Sequence, residues 1–267
     1  MIRSLALVAL LAATGGNAEN KTFAPPSGPV TEVVAMLKIA APTATADELR
    51  TSARACAELL APQSPAAEAL AKLGAGAESA AELRSKFAEI VEALTFQPLR
   101  EAELPAGFPT YTPPGIIELK TYPVHRRAVA KQFYTLFAHI TRNEIAMTAP
   151  VRMEFDQADD GQLTQESMAF FYGDPETGRV GVDESDKNVE TIEDQGQTVI
   201  ALGNRGRWHR EAIAAGERRL RKWIEANPEY EATGDLIVMG YNSPMTPAAR
   251  QFFEIQLPVE KKAGKGE

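Results

Sequence analysis

Three histidines and one cysteine are the residues of this chain whose chemistry is most readily recognised in a sequence. No two of His125, His139 and His209 have the i, i+4 spacing of a metal-binding helix, and no Cys-x-x-Cys-His motif attaches a c-type haem. His139 lies away from the apolar stripe of its predicted helix, so we expect it to face solvent. Cys56 stands among alanines and is expected to be a small buried side chain. A structural zinc site and a covalent haem are therefore excluded.

Carboxylates are the other groups that could do chemistry. The sequence contains no Gly-x-Ser-x-Gly elbow, and the glycines of "LGNRGRW" match no phosphate-binding loop. Glu118 and Glu254 fall on predicted strands that could be neighbours. A carboxylate buried in an apolar pocket can bind a cation or act as a general acid or base. One hypothesis is therefore an enzyme that acts on a small hydrophobic compound through one of these glutamates.

The composition is that of an acidic globular protein. The chain has 267 residues, of which 44% are hydrophobic, and a formal net charge of -8. Neutralisation of phosphates by Lys and Arg supplies much of the affinity for nucleic acids, so no nucleic-acid partner is expected. Attraction to an anionic membrane surface is not expected for the same reason.

The N-terminus has the pattern of a secretory signal. Arg3 precedes the apolar run Leu5–Ala13, and the small residues before Glu19 suit cleavage after Ala18. The apolar run is too short to span a membrane. We therefore expect residues 1–18 to be a cleaved signal peptide, and the protein to be exported to a periplasmic or extracellular location.

Composition also divides the rest of the chain. Residues 19–95 are rich in alanine and predict three or four amphipathic helices that dock on the following domain. Residues 96–114 contain five prolines and three aromatic residues, which predicts an extended linker that also wraps along that domain. Residues 115–259 are rich in strand formers, and residues 260–267 are expected to be a charged flexible tail.

The order of elements repeats within residues 115–259. Strand, strand, helix, strand, strand occurs twice, and each helix carries one apolar stripe. The stripe of the first helix consists of Phe133, Leu136, Phe137 and Ile140. Two similar halves that join their antiparallel strands would leave a groove between them. The pattern therefore predicts an α+β fold made of duplicated units, preceded by a small all-α region.

Four segments carry a resemblance to a known family. In order along the chain they are "IIELKTYPVHRRAVA", "FYTLFAHI", "NEIAMTAPV" and "GYNSPMTPAARQFFEIQL". They resemble successive landmarks of the SOUL haem-binding proteins, and the resemblance covers roughly residues 96–259. It implies a distorted antiparallel barrel with two helices, similar to the effector-binding domains of bacterial drug-responsive regulators. It also implies non-covalent tetrapyrrole binding on a shallow apolar surface.

The resemblance also bears on the ligands of a bound haem. The axial histidine of some animal members falls at Thr121, which cannot ligate iron. His125 would replace it if the strand register brings both residues to the same pocket. Met147, expected on a strand that Pro150 interrupts, is another candidate because thioethers also ligate haem iron.

The leading hypothesis is an exported, non-enzymatic binding protein for haem or another flat hydrophobic ligand. The ligand would lie in a groove between two pseudo-equivalent halves. The candidate ligand contacts are Tyr122, His125, Met147, Tyr241, Glu118 and Glu254. The alternatives are the glutamate enzyme and a protein-interaction module that uses the N-terminal helices.

Overall fold

The computed structural model describes residues 22–25, 27–40, 43–157 and 163–262. The expected signal peptide, residues 1–18, lies outside these residues, as do residues 263–267 of the expected tail. The first described elements are four helices: α1 (Pro29–Ala40), α2 (Ala46–Glu58), α3 (Pro65–Ala75) and α4 (Ala80–Leu94). Capping boxes at Thr45 and Ser79 start α2 and α4, because each cap pairs with a glutamate three residues later.

The helices form a core of their own around Leu37, Leu70 and Phe87. Cys56 belongs to this core and is fully buried, which raises the pKa of its thiol to about 11. The expectation of a small buried side chain is therefore confirmed. Arg219 reaches Glu68 at 2.7 Å, and the hydroxyl of Ser64 accepts a hydrogen bond from the Ile117 amide. The helical region is thus docked on the domain that follows.

That domain contains ten strands, two further α-helices and one 3-10 turn among the described residues. The strands are β1 (Ile117–Tyr122), β2 (His125–Ala130), β3 (Val151–Gln157), β4 (Leu163–Phe171), β5 (Gly181–Val182), β6 (Glu190–Asp194), β7 (Gln197–Arg205), β8 (Tyr230–Ala232), β9 (Leu236–Gly240) and β10 (Phe252–Lys261). Helix α5 (Phe133–Arg142) follows β2, helix α6 (Arg210–Ala226) follows β7, and the turn spans Ala248–Arg250. β10 extends two residues into the expected flexible tail and pairs there with β8.

All the strands pair antiparallel in one sheet with the order β1-β7-β10-β9-β3-β4-β2-β6-β5, and β8 is added beside β10. β1 and β5 are the two ends of this path and do not pair with each other. The sheet is therefore open, and the described strands do not close into the expected distorted barrel. β7 lies between β1 and β10, so the strands of Glu118 and Glu254 are not direct neighbours.

The two faces of the sheet are covered differently. One face packs against α6 through a core that includes Met153, Val238 and Leu220, and against α5 through a second cluster that includes Leu136 and Phe170. The other face is covered by residues 96–114, here called the covering segment, whose Phe108 and Tyr111 pack among the side chains of that face. The prediction that this linker wraps along the domain is confirmed.

The chain between α5 and β3 differs from the expectation of an interrupted strand. Thr148 forms one isolated bridge to Glu103, and β3 begins only at Val151, after the cis peptide bond between Ala149 and Pro150. Proline lacks the N–H that a strand ladder needs, so regular pairing starts after it. Met147 therefore lies in a loop rather than on a strand.

Candidate functional site

An apolar cleft with about 1000 Å³ of free space, part of it open to solvent, lies on the helix-covered face of the sheet. One wall is α5, which contributes Phe133 and Phe137. The floor is the centre of the sheet, with Met153 on β3 and Met168 on β4. Trp208, two residues before α6, forms part of the opposite wall. The lining side chains named here are all apolar.

The helical spacing of α5 explains its wall. Phe133 and Phe137 are four residues apart, so their rings stack on one face with centroids 6.2 Å apart. Phe133 also meets Phe170 of β4 edge to face at 5.0 Å, which fixes the helix on the sheet. The two phenylalanine side chains remain partly exposed because the cleft lies beside them.

The polar groups at the border of the cleft are already paired. Glu101 of the covering segment accepts hydrogen bonds from the backbone N–H of Ser243 at 2.6 Å and from the Thr246 hydroxyl at 2.8 Å. These bonds hold the loop after β9 against the covering segment. The Glu101 carboxylate is therefore committed to the protein, and an entering ligand meets mainly apolar surface.

Two of the six predicted ligand residues line the cleft. Met147 does so from the loop before β3, and Tyr241 does so from the position directly after β9. Burial raises the pKa of the Tyr241 phenol far above its ordinary value, and its hydroxyl donates to Glu254 at 3.1 Å. A neutral phenol, rather than a phenolate, therefore borders the cleft.

The other four predicted residues lie together on the face beneath the covering segment. Glu254 is fully buried and accepts from Lys120 Nζ at 2.8 Å and from the Thr112 amide at 2.7 Å. Glu118 accepts from the Thr112 hydroxyl at 2.7 Å, and burial raises the pKa of its carboxyl. Neither glutamate lines the cleft, so an enzymatic role for either one stays a prediction.

Tyr122 belongs to the same buried cluster, where its hydroxyl accepts from Gln256 at 2.9 Å. Burial raises the pKa of the Tyr122 phenol far above its ordinary value. The covering segment closes over this side chain, since the Phe108 ring lies 4.9 Å from the Tyr122 ring.

His125 is buried on this covered face. Its Nδ1 lies 2.8 Å from the Pro123 carbonyl and its Nε2 lies 3.1 Å from the Asp194 carboxylate. Thr121 is exposed, and strand alternation directs it to the face opposite that of Tyr122. The register therefore does not bring His125 and Thr121 to one pocket. An iron-ligating role for His125 stays a prediction.

His139 corrects an expectation. Its side chain is buried rather than solvent-exposed, because the chain between β4 and β6 folds against the outer side of α5. Nδ1 lies 2.6 Å from Asp183, and Nε2 lies 2.7 Å from the Tyr172 hydroxyl. These two contacts tie α5, and with it one wall of the cleft, to the chain between β4 and β6. His209 caps α6 by accepting from the Ala212 amide and lies outside the cleft.

Several lining residues escaped sequence reasoning. Phe133 and Phe137 were recognised only as a helical stripe, and Met168 and Trp208 carried no signal of a pocket. Their shared signal is weak. All four are large apolar side chains, but they come from α5, β4 and the loop before α6, and no local pattern shows that the fold brings these elements together.

Comparison with known protein families found one match. A family model described as SOUL heme-binding protein matches residues 91–258. No match was found among curated proteins. None of the described helices is both long and apolar enough to cross a membrane.

Solved structures to which this chain is similar include the crystal structure of the EcmrR C-terminal domain, with 16% identity and a TM-score of 0.40 over 54% of this chain and 97% of that one. A hydrolase from Listeria innocua has 12% identity and a TM-score of 0.41, over 56% and 94% of the two chains. SAV2435 bound to tetraphenylphosphonium has 10% identity and a TM-score of 0.34, over 54% and 93%.

Proposed function

Because the chain belongs to the SOUL heme-binding protein family, we propose that it binds haem or another flat hydrophobic molecule, non-covalently, in the apolar cleft. One observation carries the proposal. The cleft is lined by aromatic rings and methionines, while the border carboxylate Glu101 is already bound by the protein. Burial of apolar surface would therefore supply most of the affinity.

The position of the cleft supports a groove between two equivalent halves. Read outwards from the β3–β9 pair, the sheet continues as β4, β2, β6 on one side and as β10, β7, β1 on the other. In the duplicated order, these are corresponding strands. The first half supplies Phe137 and Met153 to the cleft, and the second supplies Trp208 and Gly240. A ligand there would bridge the two halves.

The lining residues suit haem in one further respect. The Met147 thioether can ligate haem iron, and no histidine lines the cleft in the described part of the chain. When bound, haem would supply an iron centre able to take up a small ligand or an electron. Phe133 and Phe137 would hold the ring face by apolar contact, and Trp208 would exclude water from the opposite side.

Titration with two probes tests the proposal. Haem and metal-free protoporphyrin are added separately to the protein, and binding is followed by the Soret band and by quenching of Trp208 emission. Both should bind saturably. Met147→Leu keeps the side-chain volume but removes the sulfur. If that sulfur ligates the iron, the variant should bind haem about tenfold more weakly and bind protoporphyrin with unchanged affinity. Absence of saturable binding for both probes overturns the proposal.

We also propose export, on the strength of the apolar run Leu5–Ala13 and the small residues that end at Ala18. Cell fractionation followed by mass measurement of the intact protein tests this. Recovery from an exported fraction with Glu19 as first residue is the expected result. Recovery of the uncleaved chain from the cytoplasm would refute it.

A further inference from the structure

Three exposed apolar side chains either line the cleft or directly follow a lining residue. Trp208, itself a lining residue, is 39% exposed. Tyr134 is 71% exposed and adjoins the lining residue Phe133. Met245 is 69% exposed and adjoins the lining residue Pro244. These side chains come from three segments that are distant in sequence but meet around the cleft. A single exposed apolar residue would need no explanation, whereas three beside one cleft do.

Basic side chains accompany these apolar ones. Arg207 and Arg210 flank Trp208, Arg250 follows Met245 by five residues, and Lys131 precedes α5, all of them exposed. Arg207 donates to the Pro244 carbonyl at 3.5 Å, which places the Arg207 loop beside the loop that carries Met245. Within the part of the chain that the structure describes, Lys131, Arg207 and Arg250 form no salt bridge.

Two nearby carboxylates, Glu101 and Glu211, offset part of this charge, but the four basic side chains outnumber them. Glu211 lies 2.9 Å from His209, and Glu101 accepts hydrogen bonds from Ser243 and Thr246. A chain with a formal net charge of -8 therefore carries a local basic region at the opening of its apolar cleft. The net negative charge of the whole chain, from which no attraction to a membrane surface was expected, does not reveal this local excess of basic side chains.

We propose that the cleft mouth, defined by Tyr134, Trp208, Met245, Arg207 and Arg250, docks on the surface of an anionic lipid bilayer. Trp and Tyr side chains prefer the headgroup region, where an apolar ring and a polar tip are both accommodated. Arginines are attracted to anionic headgroups, and each one near the surface adds to the affinity. Docking in this way opens the cleft onto the bilayer, from which a poorly soluble flat ligand can enter.

Vesicle binding tests this surface. The chain beginning at Glu19 keeps every described residue and omits the apolar run Leu5–Ala13, which would bind lipid by itself. It is sedimented with vesicles of phosphatidylcholine that contain about one third phosphatidylglycerol, and with vesicles of phosphatidylcholine alone. Preferential binding to the anionic vesicles, weakened by salt, is expected. Trp208 emission should shift to the blue on binding.

Matched variants locate the contact. Arg207→Gln with Arg250→Gln should weaken partitioning by about thirtyfold. Arg179→Gln with Lys187→Gln makes the same change in net charge in the chain between β4 and β6, and should have little effect. Met245→Ser with Tyr134→Ser should reduce both the partitioning and the shift of Trp208 emission. Equal partitioning of the two charge variants, or equal binding to both kinds of vesicle, overturns the proposal.

Haem titration of the same variants in solution separates this inference from the proposed function. Neither Arg207 nor Arg250 lines the cleft, so haem affinity without vesicles should be unchanged. If the protein binds haem normally but does not bind vesicles, only the proposed membrane contact is refuted. If Arg207→Gln with Arg250→Gln loses haem affinity and keeps its vesicle binding, these arginines serve the ligand instead, and the membrane contact is again refuted.

Discussion

Met153 of β3 lies directly opposite Val238 of β9 in the antiparallel register, at the centre of the strand order. Both side chains are buried on the helix-covered face, where Val238 contributes to the core and Met153 also lines the cleft. The cleft thus lies over the middle of the sheet rather than at an edge. A ligand there rests on strands that are paired on both sides, which holds its walls in place.

Filling the cleft should remove ligand binding without harming the fold. Ala102 lines the cleft from the covering segment, outside any regular element, so Ala102→Trp would place an indole ring in the space. We expect haem affinity to fall by at least about tenfold, with a change in unfolding free energy below about 1 kcal/mol. Ala106→Trp, at an exposed position in the same segment, is the control. Equal haem affinities for the two variants would contradict the assignment of the cleft.

Gly203 allows the covering segment to lie against β7. A Cβ atom at this position would collide with the backbone of Thr112 and Pro113. Gly203→Ala should therefore lower the unfolding free energy by about 3 kcal/mol, as backbone atoms cannot move aside as a flexible side chain can. Chemical denaturation measures this. Gly240→Ala is the control at another strand glycine, where a Cβ atom would meet only ordinary contacts. It should lower the unfolding free energy by less than about 1 kcal/mol.

Local patterns predicted the elements of this fold well. The spacing of Phe133, Leu136, Phe137 and Ile140 predicted α5, and the strand patterns correctly placed Glu118 and Glu254 on strands, although these strands are not neighbours. Such patterns depend on contacts within one element, which a sequence displays directly. The helical character of the N-terminal region, expected to contain three or four helices, was predicted for the same reason.

Contacts between distant elements were not predictable in this way. The helical phase of His139 is correct for an isolated helix, but the sequence does not show that Asp183 and Tyr172 would cover that side of it. The predicted ligand residues fall into two separate groups in the structure for a similar reason. Met147 and Tyr241 line the cleft, whereas His125 and Glu254 lie beneath a segment expected only to wrap along the domain.

Lys120 compensates the buried charge of Glu254. The two side chains are 3% and 0% exposed, with Nζ and Oε1 2.8 Å apart. Lys120→Met should leave an uncompensated buried carboxylate and lower the unfolding free energy by about 3 to 5 kcal/mol. Adding Glu254→Gln should recover most of this loss, because an amide oxygen can still accept from Thr112 and Tyr241. A loss below about 1 kcal/mol for Lys120→Met alone would refute this account.

Asp183 should make the stability of the fold sensitive to acid. Although burial opposes its ionisation, hydrogen bonds from His139, the Ser185 amide and Arg142 hold the pKa of Asp183 well below its ordinary value. The unfolded chain, with an aspartate pKa of about 3.9, then binds this proton more readily than the native protein does. The stability contributed by Asp183 is therefore fully present above about pH 5 and is lost as the pH falls through and below about 4.

Denaturation of Asp183→Asn across this range tests the contribution. At pH 7 the variant should lose about 1 to 3 kcal/mol of unfolding free energy, since His139 and Arg142 lose a charged acceptor. The difference from the unmodified protein should shrink as the pH is lowered below about 4, because the unfolded chain then binds a proton at Asp183 that the native carboxylate does not take up. Asp235→Asn, at an exposed position before β9, is the control and should leave the pH profile unchanged. A difference for Asp183→Asn that stays constant from neutral to acid pH would show that the carboxylate charge is not what ties α5 to this connection.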